Sequence, residues 1–220
     1  MKIVAITDVH GNWASLKRFL RKIRSNEVDL VIVAGDLSFY GDLNEALGVL
    51  SVLSKRYRVF FVPGNCDSPS LLNVEKYGNS ENLHGKIVDY NGAIFAGIGG
   101  SNPTPFNTPI EFMEYEIKNV LLKIREKLGG RSLDVFVSHP PPYNTKLDVI
   151  STGEHVGSLE VRQFVENIKP KLCICGHIHE ASGIDNIGET ILVNPGPLAH
   201  GNYSVIELKK HNVNVKILKI

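Results

Sequence analysis

Short apolar runs punctuate this chain, and a polar cluster ends each of them. Residues 2–7, 29–34, 58–62, 134–137 and 171–175 are almost unbroken stretches of Val, Ile, Leu, Phe, Ala and Cys. Runs of that length and composition predict strands buried on both faces. Residues 12–24 and 43–54 place apolar side chains at helical spacing instead. Leu16, Phe19, Leu20 and Ile23 share one stripe, and Lys17, Arg18, Arg21, Lys22 and Arg24 form the solvated face opposite. Asn12 predicts the N-cap of the first helix, and Asp42 or Leu43 begins the second. The first part therefore alternates strand and helix.

The pattern then changes. Residues 86–90 and 93–98, joined by Asn91-Gly92, carry the strongest hairpin signal in the chain. A turn-rich loop over 99–109 leads to an amphipathic helix over 110–128. Pro140-Pro141-Pro142 forces extended backbone. An irregular loop over 144–157 precedes a helix over 158–168 capped by Ser158. Strands over 181–187, 190–193, 203–208 and 213–217 suggest an antiparallel edge. The expectation is an α/β fold with two mixed sheets in a four-layer αββα sandwich, in one domain over 1–220. A single three-layer sheet fits the β-rich end less well.

A chain of 220 residues can bury roughly 70–73% of its unfolded surface and needs no staple. Its net charge of +1 offers no electrostatic attraction to nucleic acid or an anionic membrane. Three Cys suggest a reducing compartment, hence a cytoplasmic protein. Cys173 and Cys175 share one strand face without the spacing of a redox or zinc pair, which predicts simple burial. The apolar stretch before Asp8 is too short for a signal sequence, and no run reaches the ~20 apolar residues of a membrane span. A homo-oligomer is compatible with the composition.

Five clusters carry the chemistry. They are Asp8-Val9-His10, Gly35-Asp36, Gly64-Asn65, Ser138-His139 and Gly176-His177-Ile178-His179. Singly, each has an ordinary reading as a helix cap or a loop hydrogen-bonding group. Each follows a predicted strand, however, and ligands gather at the carboxyl ends of strands in open α/β sheets. Residues two apart at a strand end point the same way, so Asp8 can converge with His10 and His177 with His179. Mixed imidazole and carboxylate donors suit Mn, Fe, Zn, Co or Ni better than Ca or Mg.

The order D-x-H, GD, GN, H, GHxH resembles the calcineurin-like metallophosphoesterase superfamily, from Asp8 through His179 and on to Asn194-Pro195-Gly196. Pro63-Gly64-Asn65-Cys66-Asp67 is similar to a branch of small microbial phosphoesterases related to the cyclic-nucleotide phosphodiesterase type. The resemblance implies two divalent ions, with manganese or iron favoured. Asp8, His10 and His179 would hold one, Asn65, His139 and His177 the other, and Asp36 would bridge both. It implies hydrolysis of a small phosphate ester, with a metal-bridging hydroxide attacking in line. Two such ions outweigh two Asp carboxylates and a hydroxide, so the site stays net positive toward an anionic ester. A diester is favoured; a phosphomonoesterase, a protein phosphatase or a non-catalytic binding scaffold would share the same ligands. A nuclease is disfavoured by the neutral charge.

The chain departs from the superfamily pattern at Cys66, where many members carry a His that protonates the departing oxygen. A thiol is a poorer acid than an imidazolium, with an ordinary pKa of roughly 8.5. His155 and His200 are candidates for that role, although exposed loop histidines are also ordinary. Asn12 is the best candidate to donate to a phosphate oxygen. Asp67 is expected to cap a turn or orient Asn65. Asn102, Phe106 and Asn107 could line the mouth, and His84 and His211 are expected to be structural.

Overall fold

Alternation along one strand sets the layers. From β1 (Lys2–Ile6), Val4 and Ile6 face one way and Ile3 and Ala5 the other, and all four are fully buried. The computed structural model describes residues 1–24, 27–210 and 212–220, so His211 lies outside it. One sheet runs β13 (Val213–Lys219), β12 (Asn202–Leu208), β1, β2 (Leu30–Ala34), β3 (Val59–Val62), β5 (Ser80–Asn82), β4 (Lys76–Tyr77). The other runs β10 (Gly183–Ile187), β11 (Thr190–Asn194), β9 (Leu172–Ile174), β8 (Val135–Ser138), β7 (Ala93–Ile98), β6 (Ile87–Tyr90). Each sheet has parallel inner strands and antiparallel edges.

Three buried clusters correspond to the three contacts of an αββα sandwich. Val4, Ile6, Val31, Val33 and Phe61 pack under α1 (Trp13–Lys22) and α2 (Leu43–Ser54). Ile3, Ala5, Ile32, Phe60 and Val62 meet Phe95, Val135, Val137, Ile174 and Val193 between the sheets. Ala96, Phe136, Cys173 and Cys175 pack under α3 (Glu114–Leu128) and α4 (Leu159–Ile168). The paired cysteines are thus core residues. The sheets come close at Gly97, where a Cβ would stand 2.8 Å from Val62 Cγ1. Among the described residues no helix is long and apolar enough to cross a membrane.

Three expectations need correction. α3 begins at Glu114, because residues 110–112 bond across the chain instead. Ile110 N–H donates to Asn65 O (3.0 Å) and Phe112 N–H to Ser101 O (2.8 Å). Residues 179–181 form a 3₁₀ turn, so β10 starts at Gly183. The late strands also do not build one antiparallel edge: β10 and β11 close one sheet, with β11 parallel to β9, while β12 and β13 close the other. The sequence reading did not identify β4 and β5, which are too short to show a period.

His84 is structural, as expected. Its Nδ1 accepts from Gly99 N–H (3.0 Å) and its ring stacks on Phe112 (6.0 Å). Burial, helped by the Lys86 charge, pushes the imidazole down to about 4. The unfolded chain then binds a proton below about pH 6.5 that the folded chain refuses until about pH 4. Stability is complete above pH 6.5 and falls as pH drops through this window. His84→Asn keeps an acceptor but cannot titrate. Urea unfolding at pH 7 and pH 4.5 should show the wild type losing about 2 kcal/mol more than this variant. Equal losses would remove His84 as the cause.

Candidate metal centre

The strands stop, but their pairing does not. Beyond β1 and β2, Asp8 N–H donates to Gly35 O (3.1 Å), His10 N–H to Asp36 O (2.9 Å) and Gly11 N–H to Leu37 O (3.0 Å). The two loops rise together and turn sharply. Asp8, His10, Asp36 and His177 all take left-handed backbone, with φ of 51°, 46°, 50° and 70°. Non-glycine residues rarely accept this conformation, and such strain clusters at functional sites. Gly35 and Gly64 allow the close approach: a Cβ on the first would collide with His139 Nδ1, and on the second with Asp36 Oδ1.

Asp8, His10, Asp36, Asn65, His139, His177 and His179 come together here, from the carboxyl ends of β1, β2, β3, β8 and β9. Donor atoms of Asp8, His10 and His179 lie within 4.8 Å of one another, as do those of Asp8, Asp36 and His139. Asp36 Oδ2 stands 3.7 Å from His10 Nε2 and 3.5 Å from His139 Nε2, so it faces both groups. The His177 ring lies 5.1 Å from that of His139, and its backbone N–H donates to Asp8 Oδ2 (3.2 Å). Cys66, expected at the site from its place after Asn65, falls within 4.8 Å of His10 and Asp36 donor atoms.

The hydrogen bonds are those of a site awaiting positive charge. His139 Nδ1 lies 2.7 Å from Ala34 O, which turns Nε2 toward Asn65 Oδ1 at 2.8 Å. Asn65 Nδ2 donates to Thr108 Oγ1 (3.0 Å), so the amide oxygen must face the imidazole. Two acceptors at that separation repel unless a proton or a cation lies between them. His10 Nε2 and His179 Nε2 meet at 3.2 Å, close enough to share one proton or one cation. Asp8 Oδ1 is buried with no hydrogen-bond partner, 3.4 Å from His179 Nε2. An orphaned buried carboxylate oxygen is costly, and a cation would satisfy it. The donor set therefore fits divalent ions. His10 Nδ1 is also buried without a partner, and nothing in the structure accounts for it.

The electrostatics match. Burial raises Asp36, but the His139 charge and hydrogen bond, then His10, outweigh it and hold the carboxyl well below its usual range. Burial likewise opposes the ionised form of Asp8, whose carboxyl the nearby His179 imidazole and the His139 charge nonetheless keep low. Burial disfavours His139 charging, yet Asp36 and Asp8 lift it to about 9. Burial and the His139 charge push His177 down to about 4, leaving a neutral imidazole suited to metal binding. Burial and the Asp36 charge push the Cys66 thiol up, so it holds its proton.

The remaining candidates separate. Asn12 caps α1, its Oδ1 accepting from Ser15 N–H (3.0 Å), and its amide points toward Ala199 O (3.5 Å). The His200 ring is exposed, 6.2 Å from that of His179. His155 belongs to another cluster: its Nδ1 lies 2.7 Å from buried Asp148, and its ring meets Tyr143. Asn102 ties its loop to Val156 O (3.0 Å). Asp67 ties both ligand loops, accepting from Ser38 N–H and Gly64 N–H at 2.8 Å each. Sequence reasoning missed the supports. Thr7 Oγ1 donates to Asp8 Oδ2 (2.8 Å), and Glu111 accepts from Thr108 Oγ1 (2.6 Å), behind Asn65. These residues carry no periodic or motif signal.

Residues 1–181 match the family model described as calcineurin-like phosphoesterase. An uncharacterized protein of Methanocaldococcus jannaschii is 40% identical over 217 residues, covering 97% of this chain and 94% of its own. Among solved structures, a dimetal phosphatase from Danio rerio superposes with a TM-score of 0.66 at 13% identity, covering 99% of this chain and 95% of that one. A novel archaeal phosphodiesterase gives 0.53 at 13% identity, over 99% and 100%. At such identities these two structures speak to the fold alone.

Proposed function

The chain belongs to the calcineurin-like phosphoesterase family, and from that premise we propose a dinuclear metal-dependent phosphohydrolase that prefers phosphodiesters. The single observation that carries this reading is Asp36 Oδ2, which lies within 3.7 Å of imidazole nitrogens on both sides of the cluster. Asp8, His10 and His179 would hold one cation, Asn65, His139 and His177 the other, and Asp36 would serve both. Such mixed donors suit Mn, Fe, Zn, Co or Ni, and Mn or Fe is the pair proposed. When bound, the two ions supply Lewis acidity to the ester oxygens and a water activated at neutral pH.

The protein's own groups do the rest. Thr7 and the His177 N–H fix the Asp8 carboxylate; Ala34 O fixes His139 and Thr108 fixes the Asn65 amide. Imidazoles oriented in this way keep their geometry when substrate arrives. Asn12 stands at the N-terminus of α1, where the spare amide N–H and the helix dipole favour a phosphate oxygen. His200, whose ring lies 6.2 Å from that of His179, is placed to protonate a leaving oxygen, whereas His155 is held by Asp148. Cys66 keeps its proton too firmly to match an imidazolium there.

A diester with a good leaving group asks least of such an acid. The Mn-loaded enzyme should therefore hydrolyse bis(nitrophenyl) phosphate faster than nitrophenyl phosphate. Rates on a diester series should fall steeply as the leaving group becomes more basic, and Cys66→His should raise the poorest esters by about tenfold or more. A monoester preference with rates indifferent to leaving group would overturn the diester reading. Two bound metals with no hydrolysis at all would select a binding scaffold.

A further inference from the structure

Phe39, Tyr40 and Phe106 are 69%, 60% and 75% exposed, and all three lie on loops that reach the metal centre. The Phe39 ring stands edge-on to that of the candidate ligand His10, with centroids 6.4 Å apart. Phe106 rides on the loop whose Thr108 holds Asn65. Tyr40 OH donates to Asn107 O (3.3 Å) and so ties that loop to the one carrying Phe39.

The backbone beneath these rings is held firmly. Ser38 N–H donates to Asp67 Oδ1 and Phe39 N–H to Glu45 Oε2, each at 2.8 Å, while Gly41 N–H donates to Cys66 O (2.7 Å). Tyr40 takes φ 47°, a conformation that a bulky residue adopts only when its surroundings impose it. A rigid, locally strained loop thus displays an aromatic face to water. That face forgoes the gain of burial unless something flat covers it.

We propose that Phe39, flanked by Tyr40, is a stacking platform for a planar aromatic group esterified to the phosphate. Nucleoside and aryl phosphodiesters would then be preferred over purely alkyl ones. This rests on the phosphohydrolase reading: bound cations would fix the phosphate, and the platform lies beside His10, where an attached base can reach it. Stacking on one aromatic side chain commonly changes affinity by about tenfold or more and tolerates any base. Phe39 would therefore select the class of substrate without reading its identity.

Two diesters with the same non-aromatic trifluoroethyl leaving group test this. One carries thymidine 5′-phosphate and the other methyl phosphate, each assayed with the Mn-loaded full chain. The wild type should favour the thymidine ester. Phe39→Ala should lower the ratio of the two kcat/KM values about tenfold, through KM, and Phe39→Trp should restore it. If a phenyl ester loses as much as the thymidine ester, any planar group is accepted; if only thymidine loses, the subsite is for nucleobases. Either result supports the platform. Titration calorimetry with thymidine 5′-monophosphate against inorganic phosphate asks the same question without turnover. Phe39→Ala should abolish the difference between their Kd values. Failure of every ester to hydrolyse would sink the phosphohydrolase reading, while this binding difference would still judge Phe39. An unchanged ratio together with an unchanged Kd difference would overturn the platform.

Discussion

Asp36→Asn should lower turnover of a nitrophenyl diester by about a thousandfold or more and leave the metal-free fold intact. The carboxylate faces His10 and His139 through Oδ2 and accepts the Cys66 N–H at 2.8 Å through Oδ1. An amide of the same shape can keep the Cys66 bond. It cannot supply a shared anion, and losing transition-state stabilisation at a preorganised charged site costs several powers of ten. A readout besides activity separates metal loss from misfolding. A metal that binds the folded state at about 100 times its Kd stabilises it by about 2.7 kcal/mol. Added Mn should therefore raise the wild-type melting temperature by several degrees and the variant's far less. Metal analysis should also show fewer than two ions per chain retained. Full turnover in Asp36→Asn, or an identical metal-induced shift, would end the shared-carboxylate proposal.

The layers were legible because burial on both faces writes itself into sequence as unbroken apolar runs, and the site residues because they sit where those runs stop. Asp8 and His10 flank one buried Val, as His177 and His179 flank one Ile. Less visible was anything decided by contacts between distant segments. Residues 110–112 look helical by period, but Asn65 and Ser101 draw them into extended pairing. The last four strands each read correctly as strands, yet nothing in their alternation says which sheet each pair will close. His155 and His200 were indistinguishable as loop histidines. Asp148 claims the first, whereas the turn after β11 brings the second beside His179. Support for Asn65 comes from Thr108 and Glu111, whose residue types are common in any loop.

Asp67 shows how much the centre depends on a residue that does not face it. Its carboxylate is fully buried and joins two loops that carry ligands. Oδ1 accepts from Ser38 N–H and Ser38 Oγ–H at 2.8 Å, and Oδ2 from Gly64 N–H at 2.8 Å and Leu37 N–H at 3.2 Å. Burial and the nearby Asp36 charge lift its carboxyl to about 6, against the pull of the Gly64 and Ser38 donors. Asp67→Ala would strand those donors in a dry interior. At roughly 1–3 kcal/mol for each buried group left unsatisfied, partly relieved by entering water, a net loss of about 3–4 kcal/mol is expected. For a chain of this size that is a fall of about 10 °C in melting temperature. With the tie gone, Asp36 and Asn65 no longer hold a fixed separation. Metal affinity should then fall by 10-fold to 100-fold, the usual consequence of losing an outer-shell partner. Asp67→Asn keeps one acceptor but turns an NH₂ toward backbone donors, so it should lie between Ala and the wild type in both melting and metal titration. A variant that melts with the wild type and binds Mn equally well would show that the two loops hold their ligands in place without this carboxylate.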